Sequence, residues 1–237
     1  MTLLRDLEPP PDAGERVEPL SRRRFVVLGQ TATASPDFSL INLPASSGRL
    51  DVLLRCLRAA LMVSHGLRRD TVVYLVLLGG PQAPRTIRID GATARYLRPD
   101  ERSLAVLVQK VLAAPIEIEI EIEIEIEAAT AGARFVEVRP GVAIAEGGLD
   151  TVLADLGTAT LYLLEEGAPD AREATLDAVD CAFFFGDHLG FDETTRARLA
   201  ALGATPLGVG PVSVHADDAV VLVVNELDRR ATISRPR

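Results

Sequence analysis

The chain has 237 residues, 48% of them hydrophobic and only 4% aromatic, with a formal net charge of −9. That length suits one large domain with a core of Val, Leu, Ile and Ala. The acidic balance argues against a general nucleic-acid coat, and no apolar stretch reaches the length of a membrane span or signal peptide.

Two cysteines and three histidines show no metal-ligand spacing. The expectation is a cytoplasmic protein with no membrane association, no metal site and no need of a disulfide.

Residues 1–20 hold Pro9, Pro10, Pro11 and Pro19 and few large apolar groups, and read as a disordered tail. The rest, 21–237, reads as a single domain. A strand begins near Phe25–Leu28. The stretch GRLDVLLRCLRAALMVSHG predicts an amphipathic helix. Leu50, Leu53, Leu54, Leu57 and Leu61 share its apolar face. Asp51, Arg55 and Arg58 share another, and Gly66 offers a stop. Val72–Leu78 predicts a buried strand and Thr86–Asp90 a shorter one. PDERSLAVLVQKVLAA predicts a second helix, with acids in its first turn and Lys110 near its end, as the helix dipole favours.

IEIEIEIEIEIE (116–127) has a period of two. It fits a strand with one Ile face and one Glu face, since a helix would scatter the Ile residues. It reads as a low-complexity insert in a connection. Phe135–Val138 reads as extended, GLDTVLADLG as a short helix, and Ala159–Leu164 and Cys181–Phe185 as strands. DETTRARLAALG predicts a helix, and Thr205–Val214 a loop. DDAVVLVVNELDRR suits either a strand or the start of a C-terminal helix. Strands alternating with helices predict an α/β fold with a largely parallel sheet.

CAFFFGDHLG (181–190) runs a buried strand into a loop at its carboxyl end, where open α/β sheets bind ligands. Asp187 and His188 could act there as an acid–base pair, or the loop could act through its backbone. Glu165-Glu166-Gly167 and the loop with Gly208, Gly210 and Pro211 also follow apolar strands. The three loops together could cradle a small molecule. There is no GxGxxG after a strand, no phosphate-binding GxxxxGK and no GxSxG elbow. His65 reads as a capping or packing residue.

Four motifs, GRLDVLLRC, PDERS, GDHLG and NELDR, follow one another in this chain. In that order the sequence resembles the archaeal tRNA (pseudouridine(54)-N1)-methyltransferases of the SPOUT, or α/β-knot, superfamily. The resemblance covers roughly 24–115 and 140–230. It implies a parallel sheet with a C-terminal trefoil knot, a homodimer, and S-adenosylmethionine as cofactor. It also implies a tRNA substrate, with ribosomal RNA as the alternative. By the same resemblance the cofactor loops map to Leu163, Gly186, and the run Val209, Gly210, Pro211, Val212, Ser213 and Val214. GDHLG then reads as a backbone loop in which Gly186 permits close approach. Two positions depart from the family pattern: Ala219 stands where a Cys is usual, and Gly66 where an acid is usual.

Methylation of pseudouridine at N1 needs the N1 proton removed and the resulting charge stabilised. Asp51 and Arg55, with Arg49 before them, are the expected catalytic residues. Arg22–Arg24, Arg58, Arg68 and Arg69 are expected phosphate contacts. The competing reading is a knotted dimer that binds RNA without catalysis.

Overall fold

The computed structural model describes residues 22–115, 134–176 and 180–233. The expected tail and the Ile–Glu repeat lie outside them. In chain order the elements are β1 (Arg22–Thr33), α1 (Leu43–Ser46), α2 (Leu50–Leu61), β2 (Met62–Val63), β3 (Gly66–Leu67), β4 (Thr71–Gly79), β5 (Arg85–Asp90), α3 (Glu101–Leu112), β6 (Val136–Arg139) and β7 (Val142–Glu146). They continue with α4 (Leu149–Leu156), β8 (Thr160–Leu164), β9 (Asp180–Gly186), α5 (Glu193–Ala201), β10 (Thr205–Leu207) and α6 (Ala216–Ile233).

Eight strands form one sheet in the order β10-β8-β9-β1-β4-β5-β7-β6. The first five in that order are parallel to one another. Strands β5, β7 and β6 extend the sheet in antiparallel fashion. The largely parallel sheet expected from the sequence is therefore present, with an antiparallel wing.

Both faces of the sheet are covered, which is why its central strands read as unbroken apolar runs. Side chains alternate between two cores. Phe25, Val27, Leu75, Phe183 and Phe185 face the layer of α2, α3 and α6. Val26, Leu28, Val76 and Phe184 face α4 and α5 through Val152, Leu156 and Leu199. Phe183 stacks between Phe25 and Tyr162, with ring centroids 5.7 and 4.9 Å away.

The segment 217–230, open between strand and helix, is helical. Val220, Val223, Val224 and Leu227 recur at helical spacing and are buried on its inner face. Helix α2 stops at Leu61, earlier than Gly66, because Met62–Val63 pairs with Gly66–Leu67 in a small antiparallel hairpin. The expected loop from Thr205 begins with a short strand that pairs with β8.

Candidate active site

The carboxyl ends of β8, β9 and β10 open a cleft of about 610 Å³, within the range of small-molecule sites. Leu164, Phe185 and Leu207 give it apolar surface. Gly186 and all of Val209, Gly210, Pro211, Val212, Ser213 and Val214 line it, as does Ala219. Leu163 does not. Its side chain packs in the opposite core with Val26 and Phe184, and Leu164, the next residue on the strand, takes the cleft face.

The GDHLG loop is built around Asp187. One carboxylate oxygen accepts the backbone N–H of Gln30 at 2.8 Å, and the other accepts that of Leu189 at 2.9 Å. The side chain is fully buried. His188 Nδ1 lies 3.6 Å from the same carboxylate, outside hydrogen-bond range. Asp187 therefore ties the ends of β1 and β9 together. The loop itself supplies a reason for glycine at 186. A Cβ there would stand 2.6 Å from the Cα and carbonyl carbon of Gly190, so the loop itself excludes a side chain.

The three expected catalytic residues form one cluster. Gly48 and Arg49 both have left-handed backbone, with φ of 62° and 67°. A Cβ on Gly48 would lie 1.8 Å from the Thr31 carbonyl oxygen. This turn sets Arg49 over the start of α2. There its guanidinium donates from Nε and Nη2 to the two oxygens of Asp51, at 3.0 and 3.1 Å. Arg55, one turn later, donates to Asp51 at 2.9 Å. Arg55 Nε also lies 3.6 Å from Asp217, in the first turn of α6. Ala216 and Ala219 of that helix line the cleft, so Arg55 and Asp217 join the cluster to a helix that walls the cleft.

Asp51 is only 3% exposed. Burial works against its charge, but the hydrogen bonds and charges of Arg49 and Arg55 outweigh it and hold the carboxyl below its usual range. The bond to Asp51 likewise raises Arg49. Asp51 is therefore a firm carboxylate and a weak proton acceptor, and its visible work is to orient two guanidinium groups.

Most of the expected phosphate contacts are engaged elsewhere. Arg23 is buried and ion-paired with Asp70 and Asp228. Arg24 is buried against Asp180. Arg68 pairs with Asp228 at 2.8 Å, and Arg69 donates to the carbonyls of Gly91 and Ala92. Arg22 and Arg58 remain exposed, and neither joins an ion pair among the described residues. Sequence reasoning also missed Arg196. It sits on α5, lines the cleft and is ion-paired with Glu165.

Residues 22–232 match a family model described as "Putative SAM-dependent RNA methyltransferase". The chain belongs to this family.

A tRNA (pseudouridine(54)-N(1))-methyltransferase of Methanosarcina acetivorans is 40% identical over 207 residues, covering 87% of this chain and 91% of the relative. One from Halobacterium salinarum is 38% identical over 206 residues, covering 87% and 96%. Among solved structures, Archaeoglobus fulgidus Nep1 bound to S-adenosylhomocysteine superposes with a TM-score of 0.56 at 15% identity, covering 89% of this chain and 99% of that one. Family members depend on S-adenosylmethionine (SAM) and act on RNA, and the α/β architecture shared with Nep1 agrees with the fold expected from the motifs.

Proposed function

We propose that the protein methylates N1 of pseudouridine 54 in tRNA, with SAM held in the cleft at the carboxyl ends of β8, β9 and β10. What carries this reading is the link from the Arg49–Asp51–Arg55 cluster, through Arg55 and Asp217, to the helix whose first residues line that cleft. The relatives' specificity, at up to 40% identity, supplies the nucleoside and its position.

The chemistry of the cleft fits the cofactor. Its volume suits a nucleoside, and Leu164, Phe185 and Leu207 suit an adenine face. Three carboxylates against one guanidinium line it, a balance that suits a cationic ligand. Bound there, SAM would supply an electrophilic methyl carbon. The residues of the 208–215 loop would orient it, largely through backbone groups. Arg49 and Arg55 would face the target base and stabilise the negative charge that develops as N1–H is lost. Asp51 keeps both guanidinium groups in place. With its carboxyl held low, it serves better as an anchor than as the proton's destination.

The reading carries a homodimer with it. Val212, Val214, Val221 and Leu222 expose apolar surface on the cleft loop and on α6, as an uncovered interface would. It also carries the trefoil knot implied by the resemblance, and a cytoplasmic location beside tRNA. Among the described residues no helix is long and apolar enough to cross a membrane.

Nucleoside mass spectrometry of tRNA and ribosomal RNA from a deletion strain tests the function. Loss of N1-methylpseudouridine from tRNA alone is expected. Loss from ribosomal RNA alone would move the substrate there. No change in either RNA, with purified protein inactive on a pseudouridine-containing T-arm, would favour the binding-only alternative.

A further inference from the structure

Among the described residues, one cation lines the cleft. Among its lining residues Glu165, Glu166 and Asp187 are acidic, and Arg196 alone is basic. Arg196 is held on three sides. Its guanidinium carbon lies 5.8 Å from the centre of the Phe191 ring, Nε donates to the Phe191 carbonyl at 3.3 Å, and Nη1 is ion-paired with Glu165. Nη2 has no protein partner among the described residues. The side chain is 41% exposed and lines the cleft between the Phe191 ring and Glu165. A guanidinium carries five donors in a rigid fork, so this one is fixed in place with donors to spare.

Glu165 and Glu166 adjoin on the loop after β8 but bind in different directions. Glu165 meets α5 through Arg196, and Glu166 accepts the Ser213 hydroxyl at 2.5 Å from the loop before α6. An adjacent Arg⁺ and Glu⁻ at a cleft wall present both halves of the complement to a zwitterion. SAM and S-adenosylhomocysteine end in an α-ammonium and an α-carboxylate, and that carboxylate is their only anionic group. The other acids of the cleft would repel it, and Asp187 is already occupied by two backbone N–H groups.

Resting on the cofactor reading above, we propose that Arg196 is the residue that receives the α-carboxylate of the cofactor's methionine end, with Glu165 beside it receiving the α-ammonium. The free Nη2 edge takes the carboxylate while Nε and the Phe191 ring keep the plane fixed. The contact selects cofactors that carry the whole amino-acid end. Adenosine-like ligands without it would occupy the rest of the cleft and forgo the Arg196 contact. No step of methyl transfer is asked of Arg196, so it is a specificity residue.

The test is calorimetric and needs no RNA. The full chain is titrated with S-adenosylhomocysteine and, separately, with 5′-methylthioadenosine, which keeps the thioether nucleoside and lacks the amino-acid end. Wild type is expected to bind the first more tightly. Arg196→Ala should weaken S-adenosylhomocysteine about tenfold to a hundredfold, the size of a lost charge-assisted bond, and leave 5′-methylthioadenosine within about twofold. Arg196→Lys should recover part of the difference, and Glu165→Gln should lower it. Circular dichroism and thermal melts check that each variant folds. If Arg196→Ala weakens both ligands equally, or neither, the assignment is overturned while the cofactor site stands. If wild type binds neither ligand, the cofactor reading of the cleft fails and the assignment fails with it.

Discussion

Arg55 Nε stands 3.6 Å from the Asp217 carboxylate, joining the middle of α2 to the first turn of α6. The same guanidinium donates to Asp51 at 2.9 Å. One side chain thus links the cluster that would hold the target base to the helix whose first residues line the cleft. The arrangement makes the position of Arg55 sensitive to both carboxylates.

Asp51→Ala should therefore cost more activity than cofactor affinity. Arg49 and Arg55 lose their shared anchor, so methyl transfer should fall at least about tenfold while S-adenosylhomocysteine affinity stays within about twofold. Stability at pH 7 should drop by about 1–3 kcal/mol. The pH dependence has a definite sign. The folded state holds this proton less tightly than the unfolded chain, so the contribution is complete above about pH 4 and fades as pH falls below it. Urea melts at pH 7 and pH 3 check this: the gap between wild type and variant should narrow at pH 3. A gap that widens in acid would contradict the depressed carboxyl.

Asp187 and His188 should separate sharply. Asp187→Ala leaves the N–H groups of Gln30 and Leu189 without their acceptor, at about 1–3 kcal/mol each when buried. Asp187→Asn keeps one carbonyl acceptor and should lose about half as much. His188→Ala should keep cofactor affinity within about tenfold, or roughly 1.4 kcal/mol, with methyl transfer following occupancy. A variant that binds cofactor normally and transfers nothing would give the imidazole a part in the chemistry.

Gly186 should not tolerate even alanine. The added Cβ would meet Gly190 backbone at 2.6 Å, and backbone cannot rotate aside as a side chain can. Gly186→Ala should lower the melting temperature as well as weaken cofactor binding. A fully stable Gly186→Ala protein that fails only to bind cofactor would show that the ligand, and not Gly190, sets the demand for glycine.

The dimer is open to a direct measurement. Light scattering at micromolar concentration should give twice the chain mass for wild type. Val221, 50% exposed on α6, is the position to perturb. Val221→Asp should shift the population to monomer with helicity unchanged. A monomeric wild type would remove the dimer from the reading.

Much of this fold was legible because its signals are local. The leucines of α2 recur at helical spacing, and the apolar runs of β4 and β9 need only neighbours to be recognised. The glycine loops of the cleft were legible too, since turns after strands carry their own residue chemistry. Strand β7 was missed although Pro140-Gly141 marks the turn before it, because VAIAE is too short to separate from a helix turn by period alone. Leu163 was named where Leu164 lines the cleft, a register difference of one that a strand turns into opposite faces. Arg23 and Arg24 looked like phosphate contacts because their partners are remote: Asp228 lies 205 positions from Arg23. Arg196 carried no signal, being one arginine on a polar helix whose partner Glu165 belongs to another loop.

The Arg23–Asp228 pair also bears on how the chain is made. Strand β1 is synthesised first among the described elements, yet it occupies the middle of the sheet between β9 and β4. Its β4 side can be completed early, but its other edge waits for β9, and its buried guanidinium waits for Asp228 near the end of α6. A nascent chain held on the ribosome with α6 still in the exit tunnel would carry Arg23 without that carboxylate and β1 without the cover of the last helix. Final closure of this domain therefore waits until α6 has emerged from the tunnel.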